Sequence, residues 1–321
     1  MESAPVLLLA YNRPEKLSQL IQRIRVLRPS VLLVSVDGPK ISKPGDKDLV
    51  LATQKIIQSI DWDVKIETRF RAENIGLRLA VQDSVNWAIS QYGKVIVIED
   101  DAVPGPQLLD FLNFNLQKFA DEQKVMHVSG YNVVPPQNLL SETGSRFSRY
   151  PESFAWATWE RAWKHYDENL TWGLESSVRD IAKITGSTTS ALRWKLNFHD
   201  AAAGRIGSWA YRWISSMWSQ NGTTVAPNRN LLSYSGFDEG THTLRKPRWK
   251  DLPIEHLDYF DSSIFNDETA EQWTGTRIFR ESIIGLADGL ASSAAMSIRA
   301  KWRKRGTSTI WGRDRSSHVT R

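Results

Sequence analysis

The chain has 321 residues, of which 41% are hydrophobic and 24% charged, and its formal net charge is +5 at pH 7. These values are typical of a globular protein with enough chain for one large domain or two smaller ones. The absence of cysteine excludes disulfide bonds, thiolate metal sites and a cysteine nucleophile. Because the sequence has neither a signal-peptide pattern nor a run of about 18 apolar residues, we expect a cytoplasmic protein.

Apolar runs and amphipathic segments alternate through the first 130 residues. The predicted strands cover residues 6–10, 31–36, 64–68, 94–98 and 125–128. The predicted helices cover residues 14–26, 46–60, 77–91 and 106–120. Strands that alternate with helices indicate βαβ units, so we expect an α/β fold with a mainly parallel sheet flanked by helices.

Beyond residue 130 the aromatic residues become denser and the predicted strands shorter. Eight of the 14 tryptophans lie between positions 156 and 218. We expect most of them in the core and a few on an apolar platform that suits a sugar ring. Short strands are predicted at 224–226 and 231–234, loops at 135–136 and 141–148, and a helical segment at 275–303. We therefore expect two halves of one domain, residues 1–130 and 131–250, and a helical, basic extension at 251–321.

Basic residues crowd the end of the chain, at Arg299, Lys301, Arg303, Lys304, Arg305, Arg313 and Arg315. They are either a solvated tail or a segment that is attracted to anionic lipid or to an acidic partner, at about 1 kcal/mol per basic residue near a membrane. Peripheral membrane contact through residues 299–315 is therefore one hypothesis. We expect no nucleic-acid partner, because no nucleic-acid-binding motif accompanies the charge.

Three carboxylates, Glu99, Asp100 and Asp101, directly follow the apolar strand predicted at 94–98. Bare charges cannot enter a core cheaply, so we expect them at the sheet edge where α/β proteins bind ligands. Crowded carboxylate oxygens favour a hard cation such as Mg²⁺ or Mn²⁺, which commonly carries phosphate. We expect Asp101 to bind the metal, Asp100 to contact a ribose or a bridging water, and Glu99 to hold a loop or a substrate hydroxyl. The alternative is a cluster that only favours the dipole of the following helix.

Polar residues also follow the other strands that are expected to end at this edge. The candidates for binding a nucleotide diphosphate there are Asn12, Arg13, Asp37, Gly38, Arg71, Asn74 and Arg78. A carboxylate suits a base or ribose, and an arginine suits a diphosphate. The alternative for each single arginine is a surface role. The first strand lacks a glycine-rich loop, which argues against nicotinamide enzymes, P-loop ATPases and sugar-phosphate nucleotidylyltransferases.

A polar segment at residues 236–243 carries two glycines before His242. This composition predicts a loop. The loop could fold over a metal–diphosphate and bring His242 to it as a further ligand. The alternative is an ordinary surface histidine.

The segment at residues 95–112, with its Glu-Asp-Asp turn, resembles the acidic motif of glycosyltransferases with the GT-A fold. It is most similar to the N-acetylglucosaminyltransferase I-like family and to related bacterial sugar transferases. Further similar segments lie at residues 5–14, 34–38, 128–132, 154–163 and 221–243. The resemblance implies a Rossmann-like GT-A fold with a nucleotide-sugar-binding half and a tryptophan-rich acceptor-binding half.

The resemblance also implies a reaction. A sugar would pass from a nucleotide diphosphate sugar, expected to be UDP-linked, to a hydroxyl of a glycan or lipid-linked acceptor, with inversion. Asp37 would contact the nucleotide, and Asp101 would hold Mn²⁺ or Mg²⁺ against the diphosphate. Such a metal offsets the charge that grows on the leaving group. A loop matching the His242 region would close over the donor and exclude water.

One departure from the family concerns the general base that an inverting transferase needs. Relatives place an acid next to the tryptophan that corresponds to Trp209, but the neighbours here are Gly207, Ser208 and Ala210. Asp200 and Glu160 are the weak remaining candidates. Three explanations stay open: one of these acids is the base, the acid has been lost, or the sequence has been altered there. A chain without a base would be a nucleotide-sugar-binding or glycan-binding protein that transfers slowly or not at all.

Overall fold

The computed structural model describes residues 3–234, 252–258, 260 and 264–308, with side chains up to residue 297. Its strands are β1 (Val6–Ala10), β2 (Val31–Val36), β3 (Lys65–Phe70), β4 (Lys94–Glu99), β5 (Ala102–Pro104), β6 (Val125–Ser129), β7 (Ser145–Ser148), β8 (Ala155–Trp159), β9 (Thr223–Pro227), β10 (Leu232–Tyr234) and β11 (Phe265–Asn266). Its α-helices are α1 (Pro14–Leu27), α2 (Asp46–Gln58), α3 (Leu77–Tyr92), α4 (Leu108–Lys118), α5 (Glu160–Trp163), α6 (Thr171–Glu175), α7 (Val178–Thr185), α8 (Thr188–Ala202), α9 (Ala210–Ser219), α10 (Glu268–Arg277) and α11 (Ile283–Ser308).

The described strands form one nine-stranded sheet in the order β11-β7-β9-β6-β8-β4-β1-β2-β3, and β5 pairs with β10 in a separate two-stranded sheet. The run from β3 to β4 is parallel, while β8 is antiparallel to both of its neighbours. Six of the nine strands therefore point the same way, which confirms the mixed, mainly parallel α/β fold expected from the sequence.

The centre of the sheet is built from strands that are apolar on both faces, as parallel strands covered by helices must be. Leu8 of β1 pairs with Val34 of β2 on one side and with Ile98 of β4 on the other. All three side chains are fully buried. This continuous apolar layer makes the strand ends, rather than the strand faces, the place where polar chemistry can occur.

The strands that follow β1 in the sequence are placed first on one side of it and then on the other. β2 and β3 lie on one side of β1, and β4 lies on the other. Loops that leave the carboxyl ends of β1 and β4 therefore diverge, which opens a crevice at that edge. The same edge receives the loop after β2, since the Asp37 amide donates to the Ala10 carbonyl at 3.1 Å.

The aromatic segment after residue 153 forms β8 and the short α5, and β8 fills the sheet between β4 and β6. The tryptophans here serve packing: Trp156 is fully buried, stacks on Trp209 at 5.0 Å between ring centroids and also stacks on His127. None of the eight tryptophans between positions 156 and 218 is exposed. The core assignment is confirmed, because seven of these eight tryptophans are buried and Trp172 is half-buried, so the seven buried rings offer no platform to a sugar.

Two further expectations about the second half need correction. Residues 141–148 are not all loop, because Ser145–Ser148 forms β7 and pairs antiparallel with β9. The segment predicted as helical at 275–303 falls in two helices. The helical conformation is interrupted between α10 and α11, where Arg280 has a left-handed φ of 57°. No helix within the described ranges is long and apolar enough to cross a bilayer.

Buried polar contacts attach α10 and the connection between α10 and α11 to the rest of the domain. The Glu281 carboxylate accepts from the Trp194 indole at 2.5 Å and from the Tyr150 hydroxyl at 2.7 Å. Arg149 donates to Glu271 at 2.6 Å and, nearer the surface, to Glu268 at 2.7 Å. The chain after residue 264 is therefore packed onto the same core as the sheet.

We expect Glu281→Ala to lower the free energy of unfolding by about 2–4 kcal/mol, because it leaves two buried donors unpaired. Glu268→Ala is the matched control. It removes a largely exposed partner of Arg149, so its cost should stay below about 1 kcal/mol. Urea titration followed by tryptophan fluorescence measures both. Equal effects of the two substitutions would contradict the buried role of Glu281.

Candidate functional site

A cavity of about 650 Å³ lies at the carboxyl edge of β1, β2 and β4. This volume lies within the range of pockets that hold small molecules and cofactors. Its polar lining residues are Tyr11, Asn12, Arg13, Ser35, Asp37, Lys40, Lys43, Arg71, Asn74, Ser84, Glu99, Asp100, Asp101 and Tyr234. Its apolar lining comes chiefly from α2 and α3, through Leu49, Leu77, Ala80 and Val81. The strand ends that the sequence predicts to meet thus share one cavity.

The acidic turn forms one wall of this cavity, and Arg13 holds it. The Arg13 Nη1 donates to Asp101 Oδ2 at 2.8 Å and to Asp100 Oδ1 at 3.3 Å. The Tyr234 hydroxyl is also hydrogen-bonded to Asp101. Asp100 and Asp101 are 8% and 4% exposed, so these contacts are shielded from solvent. Arg13 is therefore the counter-charge that lets two buried carboxylates stand side by side.

Burial and mutual repulsion make two acids of this turn harder to ionise than usual, even with Arg13 beside them. Burial, followed by the charge of Asp101, raises the pKa of Asp100 to about 7, although Arg13 opposes the shift. Burial and both aspartates raise the pKa of Glu99 well above its usual range. Within the described ranges, no group of three His, Cys, Asp or Glu side chains is arranged to hold a metal ion on its own. A cation that enters beside this wall would replace the protons that the crowded acids hold and let the carboxylates ionise.

Asp37 holds the turn that closes the cavity beside β2. Its Oδ1 accepts from the amides of Gly38 at 2.9 Å and Ile75 at 3.1 Å. Its Oδ2 accepts from the Asn74 side chain at 2.9 Å and the Gly76 amide at 3.1 Å. Both predicted ligands, Asp37 and Asn74, line the cavity, but they are bonded to each other. The carboxylate is therefore committed to shaping the wall.

Gly38 has a steric role at the same turn. A Cβ at this position would overlap the backbone of Glu73, which cannot move aside as a side chain could. The close approach of the two backbones is what allows Asn74 to reach the Gly38 carbonyl at 2.9 Å. Any other residue at position 38 would push the turn away from β2.

Asp46, at the start of α2, is a site residue that the sequence reasoning missed. Its carboxylate accepts from Asn12 at 2.6 Å, from the Lys40 amide at 2.7 Å and from the Tyr11 hydroxyl. Burial alone would raise the pKa of Asp46, but these hydrogen bonds, Tyr11 foremost, lower it to about 2. The only sequence signal is an acid in the first turn of a helix, which is common on solvated helices. Asp46 fixes the loop after β1 and orients the predicted ligand Asn12.

Arg71 lies where the polar wall meets the apolar lining. Its Nη1 donates to Ser35 Oγ at 2.8 Å, and its Nη2 donates to Ser84 Oγ at 3.2 Å and to Asp83. The side chain is only 11% exposed, so the guanidinium is held rigidly. A planar cation beside Leu77 and Val81 suits a flat heterocycle with hydrogen-bonding edges.

Two other predicted residues, Arg78 and Asp200, are described but do not line this cavity. Arg78 is absent from its lining, and its guanidinium lies 4.0 Å from Glu168. Asp200 is buried under α11 and accepts from Arg205 at 2.7 Å and from Ser293 at 2.8 Å. His242 falls outside the described residues.

Glu160 lies at the wrong edge of the sheet. β8 runs antiparallel to β4, so that Trp159 pairs with Lys94. The Glu160 amide donates to the Gly93 carbonyl at 2.7 Å. At about 3.3 Å per residue, the length of β4 separates this position from the acidic turn by about 16 Å. This placement removes Glu160 as a base for chemistry in the cavity.

Comparison with known proteins gives no family. No protein-family model and no curated protein matches this sequence. Among solved structures, the chain is similar to a 4-diphosphocytidyl-2C-methyl-D-erythritol synthase from Anaerococcus prevotii, with 7% identity, a TM-score of 0.30, and coverage of 63% of this chain and 96% of that one. A likeness at this level identifies neither a family nor an activity.

We expect Asp46→Asn to destabilise the protein at neutral pH by about 1–3 kcal/mol, since it weakens three hydrogen bonds to a charged acceptor. Its effect should shrink as the pH falls. The pKa of Asp46 is about 2 in the folded state against an ordinary value of 3.8, so the wild type loses this stabilisation as pH falls through that window.

The measurement is the difference in unfolding free energy between Asp46→Asn and the wild type at several pH values. Asp48→Asn, an exposed position on the same helix, is the control and should show no such difference. A difference between Asp46→Asn and the wild type that stays constant down to about pH 2 would contradict the assigned role.

Proposed function

We propose that this protein is a metal-dependent glycosyltransferase of the GT-A type. It moves a sugar from a nucleotide diphosphate sugar, UDP-linked, to a hydroxyl of a glycan or lipid-linked acceptor, with inversion. The observation that carries the proposal is the acid-tipped β4 at the reversal of strand order, which forms one wall of a cavity large enough for a nucleotide. In open α/β sheets this is where nucleotide ligands bind.

The proposed metal is Mn²⁺ or Mg²⁺, held by Asp101 and helped by Asp100. Carboxylate oxygens suit these ions, and a bound cation would replace the protons that Glu99 and Asp100, with their raised pKa values, hold more tightly than usual. Mg²⁺ is commonly bound through one or two carboxylates, with substrate phosphates and water as its other ligands, so two carboxylates suffice. When bound, the metal would stabilise the charge of the leaving nucleoside diphosphate.

The proposed nucleotide site uses the rest of the cavity wall. Arg13 lies beside the acidic turn, within reach of a diphosphate held there. Asn12 and Asn74 line the same wall as Asp37, and their anchored positions cost no ordering on binding. The base would lie against the apolar lining near Arg71.

A second candidate function is a nucleotide-sugar-binding protein that has lost catalysis. The observation that favours it is that neither Asp200 nor Glu160 lines the cavity. Gly207 does line it, and a Cβ there would meet no atom of the described residues within 4 Å. No described residue therefore fills the position that could hold a base beside Trp209. The two candidates share the donor site and differ only in transfer.

Donor binding is tested by thermal unfolding with UDP-, CDP-, GDP- and ADP-sugars, with and without Mn²⁺. We expect one nucleotide to raise the melting temperature in the presence of Mn²⁺, because a ligand at about 100 times its Kd adds about 2.7 kcal/mol to stability. Asp101→Asn should abolish the shift, whereas Asp110→Asn, an exposed acid on α4, should retain it. No shift with any nucleotide would contradict both candidate functions.

Transfer is tested by the release of nucleoside diphosphate from the donor identified in this way. The glycosyltransferase proposal expects turnover by the wild type and no gain on Gly207→Asp, which should keep donor binding. The second candidate expects binding without turnover in the wild type. A gain in release for Gly207→Asp by about 10²–10⁴-fold, the usual contribution of a general base, would support it.

A further inference from the structure

The start of α11 carries an apolar surface that the described part of the chain leaves open to solvent. Ile283, Ile284 and Leu290 are 77%, 74% and 54% exposed. The other exposed apolar residues at helical spacing are Ala287, Ala291, Ala294 and Ala295. At 3.6 residues per turn all seven fall within one face of the helix. We call this set the α11 stripe.

The opposite face of α11 is fixed to the domain. The Ser293 hydroxyl donates to Asp200 of α8 at 2.8 Å. Gly289 lies so close to Arg193 of α8 that a Cβ at position 289 would overlap its guanidinium. The orientation of the helix is therefore set by packing, and the α11 stripe faces outward as part of the fold.

The same helix becomes strongly basic towards its end. Its last ten residues include Arg299, Lys301, Arg303, Lys304 and Arg305, with Trp302 among them. From residue 289 to the end of α11 the sequence contains no acid, and the one acid in the helix, Asp288, is paired with Arg280. Clustered Lys and Arg are attracted to the anionic headgroups of a membrane, and exposed apolar residues on the same helix add to membrane binding.

We propose that α11 binds the surface of a membrane rich in anionic lipid. The α11 stripe enters the boundary between headgroups and acyl chains, and the basic end contacts the headgroups. The charge decides between a membrane and a second copy of this chain, because a second copy would bring the same positive cluster to the interface. Anionic lipid neutralises it, at about 1 kcal/mol per basic residue near the surface.

A short segment connects the inner face of α11 with the cavity. Ser293 contacts Asp200, and the turn from Asp200 to Ile206 leads directly to Gly207 at the cavity rim. In the glycosyltransferase proposed above, this arrangement suits a lipid-linked acceptor. Membrane binding itself does not depend on that function.

The test is co-sedimentation of the full chain with vesicles of phosphatidylcholine alone or mixed with phosphatidylglycerol. We expect binding to the mixed vesicles that weakens as salt is raised, and little binding to phosphatidylcholine. The double substitution Ile284→Glu with Leu290→Glu should reduce binding at least about tenfold, since it puts charge on the inserted face. Ile41→Glu is the matched control, because Ile41 is 98% exposed elsewhere, and it should bind like the wild type.

A second variant tests the contribution of the basic residues to membrane binding separately from that of the α11 stripe. Lys301→Glu with Arg303→Glu and Lys304→Glu should remove the preference for phosphatidylglycerol. The proposal is overturned if the wild type does not bind the mixed vesicles. It is overturned as well if Ile284→Glu with Leu290→Glu binds them as strongly as the wild type. It is also overturned if the wild type is a dimer without lipid and this double variant is a monomer. Nucleotide-dependent melting of the double variant should match the wild type, so failure here is distinct from failure of the proposed function.

Discussion

The ion pair between Arg13 and the acidic turn is the interaction on which the site depends. Burying Asp100 and Asp101 without a counter-charge would be costly, and Arg13 lies within hydrogen-bond distance of both. Its position follows from the topology, since β1 and β4 are adjacent parallel strands whose ends meet. The sheet order thus brings together ionisable groups that lie far apart in the sequence, and burial and crowding raise the pKa values of Glu99 and Asp100 there.

Around this ion pair, two further carboxylates act as internal anchors. Asp37 accepts hydrogen bonds from the turn after β3, and Asp46 accepts a hydrogen bond from the loop after β1. Each accepts several hydrogen bonds from backbone amides or short side chains, so the loops of the cavity are tied to the sheet in the absence of a ligand. Because these loops are already ordered, little conformational entropy is lost when a ligand binds to this wall. The acids of this edge therefore divide into those that shape the cavity and those that face its contents.

Sequence reasoning predicted the part of the fold in which local pattern and burial agree. Buried parallel strands such as β1 and β4 are continuous apolar runs, and their polar ends identify the edge of the site. β7 was missed because its polar Ser-Arg-Phe-Ser sequence becomes a strand only through pairing with β9, far away in the chain. Asp46 was missed for the same reason, since its partners Tyr11 and Asn12 belong to another loop. Glu160 was misplaced because nothing local reveals that β8 runs against β4.

The outer strands of the sheet have a consequence for how the protein behaves when concentrated. β3 alternates charged residues along its length, and Lys65 and Glu67 form an ion pair 2.8 Å apart on it. At the other side of the described sheet, β11 contributes only two residues. Unpaired backbone at a sheet margin can recruit strands from other molecules, and charge or brevity there suppresses that growth. A sheet with such outer strands is protected against edge-to-edge pairing between molecules, and so against the growth of fibrils.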